Sequence, residues 1–499
     1  MKRAVVLAFV LLLGCASSPT RTRARPPDQG APVASAETPN APFRRHAPEV
    51  AASEAFVPPR IDAATLSNGV RVLVVERREL PVVSVEIVMK NGFADFDGES
   101  PEAFVLMAAL LEQGTSTRSA AQIFDGYRAL GADHRTWVDF DSGGASFKAL
   151  SQWIDPAIDL LADTVQRPAF AADEIDAARS RWTAWAKQQR FAIDRRAATA
   201  LAASVYGREH AYGRTTLARV DALARVTRDD VLRAYAHEMT PARATIVAAG
   251  DVSMAALLPK LEVAFGAWKR VAPAPTRAVP PVPADPQSLR MILCDAPRTT
   301  QPRVMLAEPG VAYSAPDRDA ITVMNEILGG AYSSRIFRNL REARSYTYGA
   351  FSSFAMRHGA GPFSAGGAFD AAHIGDAIRE LFHEIVAIRE ADVTRDEIAA
   401  AKRHLILALP ARFESASDIT RALALLAVHD LSLDEWSTLA PRVDAVTIAD
   451  VRRAAVAHLH PDRMKIVVTG DRRTLAPILA ALGFGPTELR DADGTIVKP

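Results

Sequence analysis

The sequence predicts an α+β protein built from two homologous, layered α/β-sheet domains, and three observations carry that expectation. Strand-like and helix-like apolar periods mix within each half of the chain, which implies layered packing of sheet against helix. The stretch 226–251, VTRDDVLRAYAHEMTPARATIVAAGD, recurs without a gap at 446–471 as VTIADVRRAAVAHLHPDRMKIVVTGD. Between the copies, Pro273, Pro275, Pro280, Pro281, Pro283 and Pro286 crowd into one short segment. At 499 residues the chain is too long for one ordinary core. Two copies this far apart mean a duplicated domain of about 200 residues rather than a short-period solenoid.

The elements follow in chain order. Lys2 and Arg3 precede an apolar run, 4–13, that is too short to span a membrane. It ends Leu12-Leu13-Gly14-Cys15, which resembles a bacterial lipobox. That resemblance implies a signal peptide cut before Cys15 and a lipid on the cysteine; an ordinary cleaved signal is the alternative. Residues 1–15 are therefore assigned to the signal and its lipidated cysteine. Residues 16–58 are rich in Pro, Ala, Ser, Thr and Arg without apolar periodicity, and read as a tether. Order is expected to begin near Ala64. Val70, Val72 and Val74 alternate, as do Val83, Val85 and Ile87, giving two strands, with Asn68-Gly69 as a turn. A helix is expected from about Ser100, with Pro101 at its first position, and its apolar body from Phe104 to Leu111 should be buried. The first domain then spans 59–270, the linker 271–286, the second domain 287–485 and a tail 486–499. Each duplicated stretch reads as helix, proline-led turn, apolar strand and Gly-Asp turn.

Composition narrows the function. Apolar residues make up 49% and charged residues 23%, with a net charge of +1, so nothing directs the chain to nucleic acid. Of the two cysteines, Cys15 lies in the export segment, so Cys294 has no intrachain partner in a disulfide framework. Lying within the apolar run of Met291, Ile292 and Leu293, it reads as a buried packing residue.

Several segments together resemble the pitrilysin/insulinase metallopeptidases, whose inverted zinc motif is His-x-x-Glu-His. They are the stretch Thr65 to Val72 (TLSNGVRV), PVVSV from Pro81, Gly92-Phe93-Ala94-Asp95, LEQGT from Leu111, Leu130-Gly131-Ala132 and HAYGR from His210. In the second half, GGAYSSR from Gly329 leads into LREARSYTY from Leu340, similar to the family's C-terminal signature. The resemblance covers nearly everything after the tether and implies two domains of the mitochondrial processing peptidase-like type.

The zinc motif itself is missing. Alignment on Gly114-Thr115 puts the two zinc histidines at Val105 and Ala109 and the general-base glutamate at Ala108. Histidines at i and i+4 share one helix face and clamp one ion, but valine and alanine have no lone pair to give. Ala108 cannot accept a proton from water. The third ligand, a glutamate, maps near Trp185, and no Glu occurs from Ile175 to Gly207. The isolated chain is therefore expected to hold no stoichiometric zinc. His134, His210, His237, His458 and His460 read as surface or capping histidines; adjacent residues such as His237 and Glu238 are not expected to share a helix face.

The resemblance maps an arginine and a tyrosine that face the zinc site across the peptidase cavity onto Arg341 and Tyr348. Guanidinium and phenol donors there can hold the carbonyls of an extended peptide. Without the resemblance the same residues read as a helix cap and a core aromatic. Gly329-Gly330 reads as a turn-former rather than a phosphate loop. Three readings follow: a non-catalytic subunit that lends Arg341 and Tyr348 to a zinc-bearing homologue of the family; a metal-free scaffold or peptide-binding protein; and an independent hydrolase, for which no nucleophile or base motif is visible. On the first reading the cofactor is zinc in the partner and none in this chain. The expected partners are that homologue, an extended peptide, and a membrane reached through the N-terminal lipid. The expected location is the cell envelope, facing the periplasm, on the outer rather than the inner membrane because Ala16 and Ser17 lack an acidic retention signal.

Overall fold

A computed structural model of the protein describes residues 56–95, 101–214, 220–269, 279, 282 and 290–497. The export segment with Cys15, nearly all of the tether, Ser100 and most of the proline-rich linker lie outside the described residues. No helix among the described residues is long and apolar enough to cross a membrane.

Each half contains a six-stranded mixed sheet. The first half contributes β1 (Asp62–Thr65), β2 (Arg71–Glu76), β3 (Val82–Met89), β4 (Asp133–Val138), β5 (Gly143–Leu150) and β6 (Ala244–Gly250), ordered β1-β2-β6-β3-β5-β4. The second half contributes β7 (Arg290–Asp295), β8 (Arg303–Pro309), β9 (Thr347–Phe354), β10 (Pro362–Phe369), β11 (Lys465–Gly470) and β12 (Thr487–Arg490), ordered β12-β7-β11-β8-β10-β9. The five strands from β2 to β4 and from β7 to β9 thus follow the same spatial order. The sixth differs: β1 enters antiparallel from the N-terminal side, whereas β12 pairs parallel to β7 from the C-terminal side. The segment 486–499, expected to be a tail, therefore supplies an edge strand. Order also starts earlier than expected, because Phe56 packs its ring against Phe413 at 5.6 Å.

The duplicated stretches adopt the same structure. Thr227 caps helix Arg228–Glu238 and Thr447 caps helix Ile448–His458, each in a reciprocal box with the aspartate three residues on. In both, the threonine N–H donates to the aspartate at 2.8 Å and the aspartate N–H donates to the threonine hydroxyl at 3.2 Å.

The central strands are apolar on both faces because both faces are covered. On β2, Val72 and Val74 enter the core of the first half, while Leu73 and Val75 point the other way. The far face of the first sheet is covered by helix Ala416–Val428 of the second half, through Ile419, Leu423 and Leu426. The far face of the second sheet, with Ile292, Cys294, Ala307 and Val467, is covered by helix Ile193–Tyr206 of the first half, through Ala200, Leu201 and Val205. The halves thus exchange helices. Cys294 is buried within this exchange, and burial pushes its thiol up to about 11, as expected of a packing residue.

Candidate functional site

The helix that would carry zinc spans Pro101–Leu110, and every residue of it but Ala109 is buried. Val105 is 2% exposed and Ala108 is 4% exposed. Helix Ala172–Gln189 packs across it and carries Trp185, which is half-buried and meets Trp182 edge-on at 4.9 Å. The face that clamps a metal in the family is apolar here, so its residues do not fit zinc. The turn that follows it is nevertheless tightly held. Gly114 adopts a φ of 115°, and the following turn is held by Asp163, whose buried carboxylate accepts from Thr115 (2.6 Å), Thr117 (2.8 Å), Arg118 (2.7 Å) and Arg167 (2.6 Å). Burial pushes the Asp163 carboxyl up, but these donors outweigh it and hold the group below the usual carboxylate range.

The histidines weighed from sequence are engaged elsewhere. His134, on β4, meets Glu112 at 2.8 Å and stacks on Tyr127 at 4.2 Å. His458 meets Asp317 at 2.7 Å and His460 meets Glu308 at 3.0 Å. His237 corrects an expectation: its Nδ1 lies 2.6 Å from Glu238 Oε1. The pair ends its helix, where the side chains can fold back toward Arg243, which reaches Glu238 at 3.1 Å.

The second-half signature forms a compact local structure. Ser334 caps the short helix Arg335–Phe337, which continues into a π-helical turn, Arg338–Ala343. Arg335 grips Glu397 through two hydrogen bonds, 2.6 and 3.0 Å long. Ser345 takes a φ of 57°, reversing the chain between that turn and β9. Arg341 consequently ends in the last helical turn and Tyr348 near the start of β9, with the guanidinium 5.6 Å from the ring centroid. Tyr348 is 81% exposed and does not pack in a core. The same segment also shows Tyr332, 73% exposed, and Phe351, 40% exposed, whose ring centroids are 5.6 Å apart. Gly329 lies in the preceding π-helical turn, Glu326–Gly330, where a Cβ would stand 2.4 Å from the Ser352 backbone nitrogen. The glycine permits close packing of that turn on β9.

One cluster escaped the sequence reading. Asp95, Asp141 and His358 come together where loops of the two halves meet. No spacing rule could have revealed it, because its members follow three different strands.

The fold and the signature define a duplicated, inactive-type peptidase-like protein. The chain belongs to the insulinase family, peptidase family M16. The family's own sequence model matches residues 105–216, and the model of the peptidase M16 inactive domain matches 225–405, together more than half the chain. An uncharacterized zinc protease of Mycobacterium bovis is 25% identical over 427 residues, covering 84% of this chain and 95% of its own length. The crystal structure of a peptidase M16 inactive domain from Pseudomonas fluorescens superposes with a TM-score of 0.75 at 26% identity, covering 82% of this chain and 98% of that one. A protease from Helicobacter pylori shares the fold with a TM-score of 0.72 at 19% identity, over 82% of this chain and 99% of that one.

Proposed function

We propose that this chain is the non-catalytic, substrate-binding subunit of a two-subunit zinc peptidase. The observation that carries the reading is the pairing of an apolar zinc position with a half-buried Arg341 that lays its guanidinium over the exposed Tyr348. Hydrolysis needs a metal-activated water and a base, and the residues at Val105, Ala108, Ala109 and Trp185 supply neither. Guanidinium and phenol at Arg341 and Tyr348 supply what remains useful to a shared cavity, namely donors for peptide carbonyls and for charge that develops on them. The catalytic zinc belongs to a homologous partner carrying His-x-x-Glu-His. Lipidation at Cys15 anchors the chain in the envelope, facing the periplasm, and concentrates it with that partner at one membrane, more naturally the outer.

Mixing the purified chain with its zinc-bearing homologue tests the reading. Peptide hydrolysis should appear that neither protein shows alone, and the two should co-purify. A homologue that is fully active alone and indifferent to this chain would remove the shared-cavity role and leave a metal-free scaffold.

A further inference from the structure

We propose that Asp95, Asp141 and His358 bind one divalent transition-metal cation that ties the two halves of the chain together. This site is distinct from the lost zinc position and independent of any partner subunit. Asp95 follows β3, Asp141 lies in the β4–β5 turn and His358 in the β9–β10 turn, so the first half gives two carboxylates and the second half an imidazole. One ligand atom from each lies within 4.8 Å of the other two. A single ion whose ligands stand about 2.0–2.6 Å away can gather such a set with small side-chain movements.

The surrounding hydrogen bonds orient every member. His358 Nε2 lies 2.9 Å from the carbonyl oxygen of Val428. A carbonyl only accepts, so Nε2 carries the hydrogen, and in the neutral ring Nδ1 keeps its lone pair. That Nδ1 faces Asp95 Oδ2 at 4.0 Å, beyond hydrogen-bonding distance. Donation of the outer N–H to a carbonyl is the arrangement that orients ligating imidazoles. Asp141 Oδ1 accepts from the Tyr212 hydroxyl at 2.9 Å and Oδ2 from the His358 backbone N–H at 2.7 Å. The Tyr212 oxygen in turn accepts from the Gly359 N–H at 2.9 Å. Asp95 is 5% exposed; its Oδ2 accepts from the Gly92 N–H at 2.9 Å, and no described residue donates a hydrogen bond to Oδ1.

Charge points the same way. Two buried carboxylates face one imidazole. Arg357, next in sequence, lays its guanidinium over the rings of Phe140 (3.7 Å) and Tyr212 (4.6 Å). A divalent cation would supply the missing charge, and the imidazole donor favours zinc or cobalt over calcium or magnesium.

The untagged full chain, stripped with a chelator, is titrated with Co²⁺ as the probe and then with Zn²⁺, Mn²⁺ and Ca²⁺. One cobalt per chain should bind, with one nitrogen and otherwise oxygen ligands by X-ray absorption, and unfolding should move up by several degrees. Asp95→Asn and His358→Gln should each weaken cobalt binding at least tenfold, whereas His404→Gln, which removes a ring paired with Glu326, should not. An unfolding temperature that ignores all four ions, or cobalt binding in both ligand variants as tight as in the wild type, overturns the proposal in favour of a plain His358–Asp95 ion pair. Should a ligand variant fail to fold, the ligand count in the wild-type cobalt spectrum decides: a shell without nitrogen rules out His358.

Discussion

Val105 and Ala109 sit one helical turn apart on a buried helix, so the loss of the zinc clamp follows from side-chain chemistry alone. That loss was legible in the sequence because the motif is local. The placement of Arg341 and Tyr348 was only half legible. Without the resemblance Tyr348 reads as a core aromatic, yet the chain reverses at a left-handed Ser345 and Tyr348 stands exposed near the start of β9. Asp95, Asp141 and His358 could not be read at all, since only the meeting of the two sheets assembles them. On the proposed reading, Arg341→Ala and Tyr348→Phe should each lower turnover of the mixed enzyme on the order of 10²-fold. Because Tyr348 is so exposed, the phenylalanine variant should unfold within about a degree of wild type, its effect falling within the small range usual for surface changes. Unchanged turnover in both variants would remove them from the cavity.

Element by element, the duplicated stretches were the most legible part of the chain. Helix, turn and strand recur because the capping box, the proline-led turn and the apolar run recur. The edge strands were not legible. β1 has the four-residue sequence DAAT and β12 the sequence TELR, too short and too polar for period-two alternation to stand out. Their pairing is set by the open edges of β2 and β7. The equivalent caps give a paired prediction. Thr227→Ala and Thr447→Ala each delete a hydroxyl that accepts the Asp230 or Asp450 N–H, and each should cost about 1 kcal/mol in chemical denaturation. Serine at either position should recover most of the loss. A large effect in one copy and none in the other would mean that the two caps, alike in geometry, differ in how their helices are held by neighbours.

For the whole molecule, the duplication at first suggests two self-sufficient domains, each with its own core. The packing says otherwise. Leu73, Val75, Val88, Val247 and Ala249 on the first sheet are buried by a helix of the second half, and Ile292, Ala307 and Val467 on the second sheet by a helix of the first. Removing either half would bare an entire apolar sheet face, a patch of the kind that drives aggregation. Leu423 lies at the centre of one contact and is fully buried. Leu423→Ala should therefore cost about 2–5 kcal/mol, the range for a large-to-small change in a core. It should lower the stability of both halves together, visible as one shifted transition rather than two. Expressed separately, residues 56–270 and 287–499 should be poorly soluble, whereas co-expression should return a soluble complex, because the exchanged helices need no covalent link between them. A first half that is soluble, monomeric and cooperatively folded alone would show that its outer face tolerates water, and the helix exchange would then be a docking contact rather than part of a shared core.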